Sequence, residues 1–178
     1  AGFGIIEPHQ KNWKCLTAGT FTLKGTTFLQ RLHDLQLSLN ELLHTFKPTM
    51  VAIEDVFVHQ NARSALKLGQ ARGVALASIL SQKIPLYEYA PRQVKLALVG
   101  KGSASKAQVQ SMVKVLLSMD EALPLDASDA LAIALTHAHV QSSFGHLVKQ
   151  GTFSRRGKSK RSKAWIKHDW KIKRSADR

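Results

Sequence analysis

The 178-residue sequence predicts an α/β domain with a mixed sheet. Three observations support this. Two strand-type runs, AGFGII and WKCLTAGTFTL, lead the chain. From Thr27 the apolar residues recur at three- and four-residue steps. Beyond Phe46, short apolar runs alternate with helical ones to about Val140. The length suffices for one domain with a real core. An apolar content of 44% fits a globular chain rather than a disordered one.

EPHQKN, between the first two runs, has turn chemistry, so they form a hairpin with a loose loop. Leu29, Leu32, Leu35, Leu39, Leu42 and Leu43 stripe an amphipathic helix that Pro48 ends. MVAIE is a short run of the buried-strand type. ARSALKLGQARGVALASILSQ is helical and carries a small-residue stripe, Ala65, Gly69 and Gly73. Each interior glycine costs about 1 kcal/mol relative to alanine. Close approach of another helix would offset that, either internally or from a second subunit. IPLYEYA is a strand, and a short helix starts at Pro91 and breaks at Gly100 and Gly102. SASKAQVQSMVKVLLSM follows, capped by Ser103 or Ser105. The last helix starts near PLDASDALAIALTHAH. After about Ser142 the pattern dissolves. Residues 1–142 therefore read as the domain, and 143–178 as a flexible basic arm with Trp165 and Trp170.

Net charge is +14, and Lys149 to Arg178 hold twelve Lys/Arg against two Asp. Such a surplus favours polyanions, nucleic acid first among them. A purely solubilising tail is the alternative. One cysteine, Cys15, excludes an intrachain disulfide and fits a reducing, cytoplasmic setting. No apolar run is long enough for a membrane span, and no signal-peptide pattern opens the chain.

Asp126 and Asp129 stand at the head of the last helix. Asp126 is a good N-cap, and Asp129 would then meet the positive end of the helix dipole. The same spacing puts both carboxylates on one face, one turn apart, as a divalent cation requires. Glu54 closes the strand VAIE, where an unpaired buried charge is expensive and where α/β domains build their sites. Asp55 points to the opposite face. The plainer alternative is that Glu54 simply reaches solvent at the strand end.

VAIEDVFVHQNARSALKLGQARGVA, YAPRQVKLALVGKGSASKAQVQ and DASDALAIALTHAH together resemble the RuvC-type Holliday-junction resolvases. The likeness runs from about Gly2 to His139, in the same order and nearly without gaps. It implies a ribonuclease-H-like mixed β-sheet flanked by helices. It also implies a homodimeric crossover junction endodeoxyribonuclease that cuts four-way DNA with two Mg²⁺ per subunit, in recombination and repair beside the RuvAB branch-migration complex. Carried over by residue, it makes Glu54, Asp126 and Asp129 catalytic metal ligands. Lys95 and Lys106 become DNA contacts near the scissile phosphate, and Phe57 an aromatic inserted at the crossover. Composition alone would leave the lysines on the surface and Phe57 in the core. His137 lies two turns beyond Asp129 on the same face, placed to orient a carboxylate or water or to serve structurally.

The family opens on a strand bearing GIDPG, whose aspartate is a further metal ligand, and AGFGII resembles the segment just after it. The expectation is a chain whose first central strand is incomplete or missing. Two origins are open, a truncated chain or a natural variant without that ligand. The second would be a non-catalytic branched-DNA-binding module. A third reading is a ribonuclease-H-like nuclease acting on RNA or simple ends.

Overall fold

The structure, a computed structural model, describes the backbone of residues 1–10, 12–55 and 62–149, with side chains as far as Ser142. β1 (Gly2–His9) and β2 (Asn12–Thr20) pair antiparallel, with a bulge between Ile5 and Ile6. The reversal is tighter than the expected loose loop. Pairing continues through Pro8 opposite Trp13 to His9 opposite Asn12, and Gln10 turns with a left-handed φ of 54°.

α1 (Phe28–Phe46) opens on a capping box. Thr27 Oγ1 accepts from Gln30 N at 3.2 Å, and Gln30 Oε1 accepts from Thr27 N at 2.9 Å. It ends at Lys47, whose backbone turns left-handed ahead of Pro48. β3 (Val51–Glu54) runs parallel to β4 (Leu86–Tyr89). The crossover between them carries α2 (Ala62–Ser81), as parallel strands require. α3 (Pro91–Val99) has its proline at the first helical turn and Gly100 at φ 75° past its end. Ser105, not Ser103, caps α4 (Lys106–Leu117), in a second box with Gln108.

α5 (Leu125–Lys149) is the spine of the core. Its Leu131, Ala132 and Leu135 pack with Tyr89, Val94, Leu98, Val109, Val113 and Leu117. The helix runs past the expected end near Val140, because no proline interrupts Gln141–Lys149. Residues 143–149 of the arm expected over 143–178 are thus helical, and the rest of it, from residue 150 on, lies outside the described residues.

The α/β expectation holds. Among the described residues, however, the strands form two separate pairs, one antiparallel and one parallel, rather than one continuous mixed sheet. β1 and β3 each pack on α5 without hydrogen-bonding to each other. Two glycines let β1 approach that helix. A Cβ at Gly4 would stand 2.6 Å from Leu131 Cδ2, and one at Gly2 would stand 2.0 Å from the Asp126 carbonyl oxygen. The start of β1 is thereby brought against the first turn of α5. Among the described residues, no helix is long and apolar enough to cross a membrane.

Candidate active site

Glu54 is the last residue of β3, in register with Tyr89 at the end of β4. One backbone bond continues past it, from Asp55 N to Tyr89 O at 2.9 Å. The Glu54 carbonyl accepts from Arg72 Nη1, reaching across from α2. The other terminal nitrogen of Arg72 pairs with Glu88 Oε2 at 3.1 Å.

Asp129 is carried by α5, and its Oδ2 lies 3.5 Å from Lys106 Nζ at the start of α4. That pair is largely exposed, so its contribution to stability is small. Its charge matters locally. Burial pushes the Glu54 carboxyl above the usual carboxylate range, the Asp129 charge pushes it further, and Lys106 and Arg72 oppose both. The charge of Asp129, distant in sequence, thus lies close enough to resist the ionisation of Glu54, with Lys106 and Arg72 near enough to favour it.

Asp126 is placed differently. Ser128 N–H donates to the Pro124 carbonyl at 3.0 Å, so α5 starts ahead of Asp126. Asp126 stands inside the first turn and does not cap the helix, which corrects the capping expectation. Its Oδ2 lies 3.5 Å from the amino nitrogen of Ala1. Among the described residues, no three His, Cys, Asp or Glu side chains gather closely enough to hold an ion by themselves. The Glu54–Asp129 pair is of the all-oxygen type that a hard divalent cation takes, its other positions left to water and substrate phosphate.

Lys95 is half-buried on α3, which packs on α5. Phe57 lies outside the described residues. His137 is buried, and both its ring nitrogens are engaged. Nδ1 is 2.8 Å from the Tyr89 hydroxyl, and Nε2 is 3.3 Å from Met50 Sδ. Its ring packs 4.2 Å from that of Tyr87. It therefore ties α5 to β4 beneath the rung that ends in Glu54. Among the described residues, an added Cβ at Gly69 or Gly73 would meet nothing within 4 Å, so no described helix covers these two positions of the stripe that begins at Ala65. Leu66 and Leu68 on the same helix are exposed. Burial pushes the Cys15 thiol upward, away from reactivity.

A concavity of about 640 Å³ lies elsewhere, between the hairpin and the end of α4, lined by His9, Trp13, Cys15, Leu117 and Met119. None of the candidate carboxylates lines it. The Glu54–Asp129 pair is thus an open surface, suited to a bulky polyanion more than to an enclosed small molecule. Arg72 and Glu88 are the residues that sequence reasoning missed. The one signal for them was a single arginine within the small-residue run GQARGVAL.

Residues 1–137 match the family model of the crossover junction endodeoxyribonuclease RuvC. The RuvC enzyme of Xylella fastidiosa (strain Temecula1) is 51% identical over 144 residues, covering 80% of this chain and 83% of its own length. That of Xanthomonas oryzae pv. oryzae (strain MAFF 311018) is 53% identical over the same span and coverage. Among solved structures, Thermus thermophilus RuvC superposes with a TM-score of 0.70 at 34% identity, covering 85% of this chain and 90% of that one. The same protein in complex with a Holliday junction substrate gives 0.74 at 34% identity, covering 80% and 88%. With its fold, its strand-end glutamate and these matches in agreement, the chain belongs to the RuvC family of crossover junction endodeoxyribonucleases.

Proposed function

We propose that this chain is a structure-specific endodeoxyribonuclease that resolves Holliday junctions by paired, symmetric nicks in recombination and repair. The observation that supports this is the convergence of Glu54 from β3 with Asp129 from α5, in a member of this family. Glu54 and Asp129 would hold Mg²⁺, two ions per subunit, with Asp126 a turn away as the third ligand. Bound there, the metal supplies an activated water and charge stabilisation at the leaving oxygen. Lys106, 3.5 Å from Asp129, neutralises phosphate charge at the carboxylates. Lys95 contacts the backbone on the α3 side, and Phe57 stacks on a base at the crossover.

The open stripe Ala65, Gly69, Gly73 is the face on which two copies meet. A twofold dimer matches the pseudo-twofold of a four-way junction and places one nick in each of two strands. The basic arm adds non-specific affinity, and the RuvAB complex is the partner that moves the junction. The half-buried cysteine fits a cytoplasmic setting. The other reading, a branched-DNA-binding module that does not cut, is not favoured by the matches to crossover junction endodeoxyribonucleases.

Incubation with a mobile four-way junction in Mg²⁺, against duplex and RNA controls, separates the readings. Paired nicks support the resolvase, and binding without nicks supports the module. Cleavage of RNA or linear ends alone rejects both.

A further inference from the structure

Arg72 sits in the middle of α2 among alanine, glycine and leucine, and is half-buried there. A charge held partly away from water needs compensating partners. Its guanidinium has two, the Glu54 carbonyl and the Glu88 carboxylate. These lie on adjacent strands. Glu54 ends β3, and Glu88 stands opposite Ile53, one rung earlier on β4. A planar fork with several fixed N–H directions can serve both acceptors at once, whereas an ammonium point charge cannot reproduce that geometry.

We propose that Arg72 is a positioning residue: by bridging the Glu54 carbonyl and Glu88, it fixes the end of β3 so that the Glu54 carboxylate faces Asp129. β3 has only four residues and leads directly into Asp55, so its last rung has little else to define it. The brace from α2 supplies a third direction of restraint beside the ladder bonds to β4. Arg72 is not itself required to touch DNA or metal. The inference rests on the reading of Glu54 as a metal-holding carboxylate.

The test compares the intact chain with Arg72→Gln and Arg72→Lys. Amide hydrogen exchange at Asp55, whose N–H bonds to Tyr89 O, reads the strand end directly. Both variants should exchange there at least about tenfold faster, with Val113 in the core unchanged. Unchanged exchange at Asp55 in Arg72→Gln overturns the proposal. Junction cleavage should fall about 10- to 100-fold, with the junction Kd within about threefold of wild type. Full recovery of cleavage by Arg72→Lys also overturns it, because charge alone would then suffice. So does a loss confined to Kd, which would make Arg72 a DNA contact. If the intact chain binds junctions without cutting, the resolvase reading fails, and the exchange measurement still decides whether Arg72 braces the strand.

Discussion

Glu54 ionises against two obstacles, partial burial and the facing charge of Asp129. A divalent cation relieves the second. Glu54→Gln keeps the shape and removes the charge. It should reduce cleavage by at least about 100-fold while leaving junction affinity within about threefold. Paired kinetic and anisotropy measurements check this, and a large loss of affinity would make the glutamate structural. His137 gives a pH prediction of definite sign. Burial holds its pKa below the ordinary value of 6.5, so the unfolded chain takes up the proton first as pH falls. Its effect is absent well above 6.5, and stability drops as pH falls through 6.5 toward the lower folded value. His137→Gln should flatten that slope in urea midpoints measured between about pH 5.5 and 7.5. Glu54 and Asp129 were legible because each marks the end of a readable pattern. The true start of α5 was not, because the Pro124 carbonyl begins the helix without any side-chain cap to announce it. Arg72 escaped notice because its acceptors come from separate strands, and periodicity carries no information about contacts across a crossover.

At the scale of elements, α2 presents two glycines, Gly69 and Gly73, that no described residue covers, beside exposed leucines. If two copies meet there, Gly69→Arg should convert a dimer to a monomer in light scattering while barely changing the melting temperature of the fold. An unchanged mass would place the interface elsewhere. Gly100 has a different reason to be glycine, its φ of 75° at the end of α3. Gly100→Ala should lower stability by about 1 kcal/mol in denaturant unfolding, with nothing nearby for the new methyl to strike. The span of α1 was readable from leucine spacing, and the start of α4 from its serine cap, whereas the Thr27 box went unread. Strand pairing was less so. Residues 1–20 announce a hairpin, but not that Pro8 and His9 stay in the ladder, and short runs such as VAIE do not disclose which strands will remain unpaired.

The whole molecule is positively charged, and most of the excess sits at one end. Removing residues 150–178 takes away eleven Lys/Arg and two Asp. If the arm lies on DNA, the deletion should weaken junction binding at low salt. It should also flatten the plot of log Kd against log salt by about 0.9 for each phosphate that the arm neutralises. An unchanged slope would show that the arm is off the DNA. The family likeness was legible over most of the chain because the motif stretches hold both ends of the carboxylate site. The arm offers only composition.

The close seating of Gly2 and Gly4 against α5 has a practical corollary at the bench. Any side chain placed at Gly2 would strike the Asp126 carbonyl. The first turn of α5 would have to shift, so a loss of cleavage in such a variant would report on backbone spacing rather than on chemistry.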